Sequence, residues 1–298
     1  MRKIHILPNL LTLSNSFCGL LAICKGIDAL NFSHDSPERF YHNMQTACWL
    51  VFLGMIFDAV DGKVARMVGG SSAFGAQLDS FSDMLTFGVA PAILAKILIE
   101  HESPIYAYSA NPRLTFVAAV IFAAMAILRL ARFNLENDPD PEAHKVFKGL
   151  PSPGAAGAVV ATMLMYLSLC NPEIEKSDGI PTPLGGVIHS LATDVHVSAW
   201  LGWFLPVLFF MLPVLGLLMV SRVRYVHMTS FLTERGQFVT LVAVVVAGLC
   251  LWTAPAPALF FVFNGFVVYG FFRWLFGKKT PGPGADPRES AEDGEIST

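Results

Sequence analysis

The sequence predicts an all-α, polytopic membrane protein with about eight transmembrane helices. Composition supports this first, because 54% of the 298 residues are hydrophobic and only 14% are charged, whereas soluble domains average about 25% charged residues. The apolar residues also fall into runs of about 20, which is the length a helix needs to cross a bilayer. From these runs we place the helices at about 8–30, 44–67, 78–100, 112–134, 152–171, 199–221, 236–253 and 256–276.

The first helix resembles a secretion signal, because Arg2 and Lys3 precede its apolar run. Pro8, Asn9 and Asn15 interrupt that run, however, and no A-x-A cleavage site follows it. We therefore interpret it as a helix that is retained in the protein.

The distribution of Lys and Arg predicts the orientation in the membrane. With the N-terminus in the cytoplasm, few of the 20 basic residues fall outside: Lys25, Arg39, Lys96, Arg113 and Lys176. Positive residues concentrate on the cytoplasmic side of membrane proteins, so both termini are predicted to lie inside. The segment 277–298 is rich in Pro, Gly and acids and is predicted to be disordered, and there is no basic patch of the kind that binds nucleic acid.

The most informative stretch lies between the second and third helices, at 57–85. Asp58 and Asp61 are spaced i,i+3, and Asp79 and Asp83 are spaced i,i+4, so each pair shares a helix face. An acid in an apolar helix costs about 2.5–3.5 kcal/mol at a bilayer centre and less near the surface. The alternative is an acidic turn in water between two membrane helices. Such a turn would not need acids placed a full helical turn inside the two apolar segments. Hard divalent cations prefer carboxylate oxygens, so Mg²⁺ or Mn²⁺ is the expected counter-charge.

The spacing of this stretch is D-x2-D-G-x2-A-R-x8-G-x3-D-x3-D, and it resembles the signature of the CDP-alcohol phosphotransferase family. Every fixed position is filled, by Asp58, Asp61, Gly62, Ala65, Arg66, Gly75, Asp79 and Asp83. The resemblance implies a six-helix transmembrane core within 1–225, two additional helices within 226–276 and a cytoplasmic tail at 277–298.

Four further stretches resemble the bacterial members of this family that use serine: LPNLLTLSN at 7–15, LRLARFN at 128–134, GLPSPGAA at 149–156 and LMVSRVRY at 218–225. The implied reaction transfers the phosphatidyl group of CDP-diacylglycerol to the hydroxyl of L-serine and releases CMP. The implied setting is the inner (cytoplasmic) membrane of a bacterium, with the active site facing the cytoplasm, membrane lipids around the protein and a homodimer as the assembly.

The resemblance also implies roles for individual residues. Asp58, Asp61 and Asp79 would be metal ligands, and Asp83 would be both a ligand and the base that takes the serine proton, around two divalent ions. The CDP part of the donor would lie against Gly62, Arg66 and Ser72, bordered by Asn9 and Thr12. Asn9 and Thr12 share a helix face, and helix–helix hydrogen bonding, which is common for Asn and Thr in membranes, is the alternative interpretation of that pair.

The residues that hold serine are harder to assign. A carboxylate is well matched by a guanidinium fork, and Arg132 with Asn134 ends a helix on the side of the acid motif. Arg129, taken alone, fits better as a contact to lipid headgroups, and Arg222 and Arg224 are the next candidates for serine.

Two alternatives remain open on the sequence alone. A sister enzyme that uses glycerol phosphate or inositol would carry the same acids and differ in the alcohol pocket. An ion-coupled transporter would also place acids inside the membrane, although no inverted repeat is detectable.

Overall fold

The computed structural model describes residues 6–32, 36–67, 73–105, 110–135, 147–170, 195–221, 223–225 and 237–276. Each of the eight predicted segments is helical, so the all-α polytopic class is confirmed. The helices are α1 Ile6–Asn31, α2 Pro37–Met67, α3 Ala73–Asp83, a π-helical segment Met84–Val89, α4 Ala90–Glu102, α5 Pro112–Leu135, α6 Ser152–Cys170, α7 Val195–Val220, α8 Gln237–Thr253 and α9 Pro255–Phe276. The tail at 277–298, predicted to be disordered, lies outside the described residues.

Six helical segments within the described residues are long and apolar enough to cross a membrane, which makes this an integral membrane protein. They are Ile6–Asn31, Phe74–Glu102, Pro112–Asn134, Ser152–Cys170, Leu201–Val220 and Pro255–Phe276.

The other two predicted spans, α2 and α8, are not among these six. α2 runs antiparallel along α1, because Lys25 donates to Asn43 near one end of the pair at 3.3 Å and Gly54 faces Asn15 further along. α2 therefore crosses the same thickness as α1. α8 is 17 residues long, about 25 Å at 1.5 Å per residue, and its crossing stays a prediction.

The third span is one continuous helix in three parts, with the π-helical segment in the middle. Ala90 N–H donates to Leu85 O, five residues back instead of four. Pro91 follows immediately, and its ring would clash with the carbonyl four residues before it in a regular α-helix. The wider π turn makes room for that ring. Asp83 is the last residue before this π turn, so the direction of the Asp83 side chain depends on the turn.

Small residues let α1 and α2 approach the third span closely around Thr86. The buried Thr86 hydroxyl donates to Asn15 O at 3.0 Å. A Cβ added at Gly54 would lie 2.7 Å from Thr86 Cγ2, and one added at Gly19 would overlap the Thr86 hydroxyl. Close contact through small residues is how membrane helices associate. Here it presses both helices against the one that carries Asp83.

The core lies between α4, α5 and α6, where Phe87, Leu98, Phe122, Met163 and Tyr166 are fully or almost fully buried. The last helix packs on the outside of α6. Asn264 of α9 donates to Thr162 at 3.2 Å, and Phe263 lies against Gly157. The boundary predicted between a core at 1–225 and an addition at 226–276 stays a prediction.

The loop that leads into α6 is fastened to the end of α7. Strand β1, Phe147–Lys148, pairs antiparallel with β2, Arg224–Tyr225. Gly149 N–H donates to Val223 O at 2.8 Å, and Leu150 N–H donates to Leu218 O at 3.1 Å. Gly149 has a φ of 93°, and a Cβ there would overlap Met219 O, so this position requires glycine. Two of the stretches that resemble serine-using relatives thus come together in space.

Candidate active site

A cavity of about 720 Å³ opens at the end of the bundle where α1, α3 and α6 begin and α2 and α5 end. Every fixed position of the acid motif lines this cavity: Asp58, Asp61, Gly62, Ala65, Arg66, Gly75, Asp79 and Asp83. The spacing in the sequence therefore corresponds to a single site in the fold. The two acid pairs face each other from α2 and α3.

Three of the four acids lie close enough to hold one metal ion. Oxygen atoms of Asp58, Asp61 and Asp79 all lie within 4.8 Å of one another. Asp83 lies one helical turn beyond Asp79 and lines the same cavity. No Lys, Arg or His nitrogen of the described residues lies within 4.0 Å of any of these carboxylates. Within the part of the chain that the structure describes, the negative charge of these acids thus has no ion-pair partner.

Two buried atoms sharpen this picture. Asp61 is only 4% exposed, and its Oδ2 has no hydrogen-bond partner among the described residues. A buried acceptor without a partner costs about 1–3 kcal/mol, and more when it is charged. Asn15 donates to Asp83 Oδ1 at 3.4 Å, while Asn15 Oδ1 accepts no hydrogen bond from any described residue. Carboxylate oxygens that lack donors suit a hard divalent cation, so this donor set fits a metal of the Mg²⁺ or Mn²⁺ type.

Hydroxyl groups on α1 and α3 fix the helix that carries Asp83. Ser16 and Ser82 hydroxyls are 2.5 Å apart, and Ser82 donates to Thr12 O at 2.9 Å. One turn further, Thr86 donates to Asn15 O. These bonds tie α1 to the third span on both sides of Asp83, so the carboxylate is held at a defined depth in the cavity.

The predicted nucleotide contacts mostly lie at this site. Asn9, Thr12, Gly62 and Arg66 line the cavity, whereas Ser72 lies outside the described residues. Arg66 Nε donates to Gly62 O at 3.0 Å, which leaves the end of its guanidinium for a ligand. A Cβ added at Gly62 would meet nothing within 4 Å, so there is room beside the backbone for a group to approach.

Only one of the two predicted serine contacts lines the cavity. Asn134 lines the cavity and donates to Ser80 Oγ at 2.9 Å, but Arg132 is not among the lining residues. Arg129 does line the cavity, and its Nη1 donates to Ser152 Oγ at 2.6 Å inside the bundle. The sequence favoured a headgroup contact for Arg129, since nothing in it indicated that Ser152, 23 positions later, would be the partner.

Asn15, which donates to Asp83 from outside the cavity lining, is another polar residue that the sequence did not single out for chemistry. Its position one turn beyond Thr12, on the same helix face, was the available signal.

Comparisons with known proteins agree with this geometry. The family model for CDP-alcohol phosphatidyltransferase matches residues 5–193, which include every residue assigned above to the cavity. The chain is 28% identical over 277 residues to the CDP-diacylglycerol–serine O-phosphatidyltransferase of Helicobacter pylori (strain ATCC 700392 / 26695), a match that covers 93% of this chain and 94% of that protein.

Two other organisms provide relatives with the same printed name. The protein of Bacillus subtilis (strain 168) is 32% identical over 162 residues, covering 54% of this chain and 77% of that one. The protein of Saccharomyces cerevisiae (strain ATCC 204508 / S288c) is 33% identical over 167 residues, covering 54% of each. The Helicobacter match is long enough to extend into the last helices, which the family model does not reach.

Proposed function

Because this chain belongs to the CDP-alcohol phosphatidyltransferase family, we propose that it transfers the phosphatidyl group of CDP-diacylglycerol to the hydroxyl of L-serine, giving phosphatidylserine and CMP. The observation that carries the proposal is the cavity, in which every position of the acid motif converges and no basic nitrogen of the described residues lies within 4.0 Å of the four carboxylates. The relatives named above, each a CDP-diacylglycerol–serine O-phosphatidyltransferase, support serine as the acceptor.

In this proposal the acids hold two divalent ions, Mg²⁺ or Mn²⁺, with Asp58, Asp61, Asp79 and Asp83 as the protein ligands. Three of these side chains lie within 4.8 Å of one another, and the unpartnered Asp61 Oδ2 supplies a free ligand atom. When bound, the ions neutralise the negative charge that the pyrophosphate carries and that grows on the leaving CMP.

The protein side chains perform the proton transfer and the positioning. Asp83 accepts the proton of the serine hydroxyl, whose oxygen forms a bond to the phosphorus attached to the lipid. The bond from that phosphorus to the bridging oxygen breaks, and CMP leaves with the bonding electrons. Asn15 donates to Asp83 Oδ1, and in this proposal Asp83 Oδ2 takes the proton.

The donor lies along α1 and α2 in this arrangement. Arg66 and the open backbone at Gly62 bind the phosphates, and Asn9 and Thr12 border the cytidine. Ser72, in the segment that connects the two acid pairs, remains a candidate contact to the CDP part. Asn134 also lines the cavity, and we assign it to the acceptor. The assignment of serine to Arg132 stays a hypothesis without a cavity contact to support it.

The orientation and assembly belong to the same proposal. The N-terminal end of α1, the C-terminal end of α5 and the cavity share one end of the bundle, and the positive residues near that end favour the cytoplasmic side. We place the protein in the inner membrane of a bacterium, where serine reaches the cavity from the cytoplasm, and take a homodimer as the assembly.

The test is CMP release by the purified full-length protein in detergent or lipid with CDP-diacylglycerol. L-serine, sn-glycerol 3-phosphate and inositol are offered in parallel, each with Mg²⁺ and with Mn²⁺. Release with serine alone is expected. Release with one of the other alcohols and not with serine would assign a sister activity, and the absence of CMP release with all three would favour a transporter.

A further inference from the structure

Asn15 is a fully buried residue where α1, α2 and the third span meet, and its amide contacts the proposed base. It is 0% exposed and lies outside the cavity lining. Its Nδ2 donates to Asp83 Oδ1 at 3.4 Å, and no other described residue accepts from this amide. Its backbone oxygen accepts from the Thr86 hydroxyl at 3.0 Å. One residue of α1 therefore contacts the third span on both sides of the start of the π-helical segment.

The surroundings of the Asn15 amide give it one favourable orientation. Its Oδ1 faces Gly54, because a Cβ added there would lie 2.9 Å from that oxygen, 2.7 Å from Thr86 Cγ2 and 3.6 Å from Cys18 Cβ. This space is lined by carbon atoms, and no described residue donates to Oδ1. Turning the amide over would place one acceptor against another at the Asp83 carboxylate and leave the NH₂ group among carbon atoms. The NH₂ group is therefore directed at Asp83.

A second buried asparagine between α1 and α2 shows what a purely structural amide looks like here. Asn43 is 8% exposed, and its Nδ2 donates to Arg39 O at 3.0 Å while its Oδ1 accepts from Lys25 at 3.3 Å. Both polar atoms of that amide are satisfied. At Asn15 one polar atom is buried without a partner, which lowers stability, and leucine would fill a similar space without that loss.

The contact to Asp83 is thus what the Asn15 amide adds to the protein. An NH₂ group donates and does not accept, so a proton on Asp83 Oδ1 would weaken the bond between them. The bond therefore favours Oδ2 as the oxygen that takes a proton. It also limits rotation of the carboxylate, whose helix is held through Thr86.

We infer that Asn15 is a positioning residue, whose amide holds Asp83 Oδ1 and so directs Oδ2 toward the hydroxyl of the acceptor. This inference rests on the proposed function. In the step concerned, the proton passes from the hydroxyl oxygen to Asp83 Oδ2 as that oxygen forms its bond to phosphorus, while Oδ1 keeps the bond from Asn15. Asn15 acts through Asp83 and contacts neither substrate.

The experiment replaces Asn15 by leucine in the full-length protein. We expect kcat for CMP release with serine to fall about 10- to 100-fold in Asn15→Leu, because a misdirected base loses much of its effect. The KM values for serine and CDP-diacylglycerol should stay within about twofold, and the melting temperature should stay the same or rise. The ratio of kcat in H₂O to kcat in D₂O should increase, since a slower proton transfer limits the rate more. That ratio does not depend on the fraction of protein that is folded.

Two further variants make the comparison specific. Asn43→Leu is the matched control, which removes an amide with both atoms bonded, far from the cavity. We expect it to lower the melting temperature and to leave kcat and the solvent isotope ratio within about twofold of the unsubstituted protein. Asn15→Asp keeps the shape and replaces the donor by a carboxylate oxygen, so kcat should fall at least as far as in Asn15→Leu.

Binding of Mn²⁺ without substrates, measured by electron paramagnetic resonance, separates positioning of the base from a role in holding metal. We expect the Mn²⁺ affinity of Asn15→Leu to stay within about threefold. A fall in affinity with kcat restored by excess Mn²⁺ would overturn the inference.

The inference is also overturned if kcat of Asn15→Leu stays within about threefold of the unsubstituted protein, or if the loss lies in KM for either substrate. A lower melting temperature with an unchanged isotope ratio would assign Asn15 to packing alone. Failure of the proposed function has a different result, in which the unsubstituted protein releases no CMP with serine.

Discussion

Two groups of acids lie at opposite ends of this bundle, and their surroundings differ. The acid cluster consists of Asp58, Asp61, Asp79 and Asp83 around the cavity. The paired cluster consists of Glu100 and Glu102, at the other end of the third span. Asp83 and Glu102 are 19 residues apart on one continuous helix, about 28 Å at 1.5 Å per residue.

Every carboxylate oxygen of the paired cluster has a partner. Glu102 is fully buried, and it accepts from Tyr166 Oη at 2.5 Å and pairs with His101 Nδ1 at 2.8 Å. Glu100 pairs with Lys96 Nζ at 2.7 Å and accepts from the Thr115 hydroxyl at 2.6 Å. His101 is stacked on Phe40, with ring centroids 3.5 Å apart. These acids join α4 to α2, α5 and α6 and need nothing from outside the protein.

The difference shows what makes an intramembrane acid a sign of function. Burial does not distinguish the two clusters, because Glu102 is more deeply buried than Asp61. The supply of donors does, since within the described residues the Asn15 amide reaches Asp83 only at 3.4 Å and Asp61 Oδ2 has no hydrogen-bond partner. An acid that the fold leaves unsatisfied is one that a ligand completes.

Metal removal should produce the largest effect. Chelation with EDTA is expected to abolish CMP release, and added Mg²⁺ or Mn²⁺ to restore it, because no basic side chain of the described residues forms an ion pair with the acid cluster that could replace the ions. The same treatment should leave the local stability of the paired-cluster end unchanged. Hydrogen exchange of the α6 amides near Tyr166 measures this. Full activity after exhaustive chelation would contradict the assignment of the acid cluster as a metal site.

Substituting one acid of the cluster should come next. Asp79→Asn and Asp58→Asn keep the side-chain shape and remove a charged ligand, so we expect activity to fall at least ~10²-fold, the scale of one lost electrostatic contact in a transition state. Stability should stay the same or rise, because the remaining carboxylates repel one another less. CMP release and thermal unfolding, measured on the same membrane-inserted protein, separate the two effects. Near-normal turnover in both variants would contradict the metal assignment.

The sequence was sufficient for the positions of the helices and for the acid cluster. Apolar runs of about 20 residues predicted the helices, and the two acid pairs at i,i+3 and i,i+4 predicted the acid cluster. Both are local patterns, so they can be read without knowing which helices touch.

The remaining features depend on contacts between distant residues. Tyr166 lies 64 positions from Glu102, so Glu100 and Glu102 look like the polar end of a helix until α6 is packed against them. Arg129 and Arg132 are both basic residues near the end of one helix, about 60° apart around it, and the packing of α6 distinguishes them, because Arg129 lines the cavity and donates to Ser152. The π turn after Asp83 follows from Pro91, whose effect depends on the backbone before it.

The paired cluster should show the reverse pattern when one donor is removed. Tyr166→Phe leaves Glu102 Oε2 buried without its partner, and we expect a loss of about 1–2 kcal/mol of unfolding free energy. The estimate lies between the average hydrogen bond of membrane helices and the cost of an orphaned buried acceptor. The kcat/KM for serine should stay within about twofold. Thermal unfolding in detergent, with CMP release as the second measurement, tests this, and a large loss of activity at unchanged stability would contradict it.

The smallest effect should come from the exposed side of the same cluster. Lys96 and Glu100 form an i,i+4 pair with side chains 32% and 27% exposed, and such pairs contribute about 0.3–0.5 kcal/mol. Lys96→Met keeps the length of the side chain and removes the charge, while Thr115 still donates to the other oxygen of Glu100. We therefore expect the melting temperature to change by about 1 °C or less. Thr115→Val, which removes a donor that is 1% exposed, is the matched variant and should cost more. If Lys96→Met lowered the stability as much as Tyr166→Phe, the charge of the partner rather than its burial would determine the stability of the paired cluster. The absence of ion pairs at the four aspartates of the described structure would then be a better sign of metal binding than the unpartnered oxygen of Asp61.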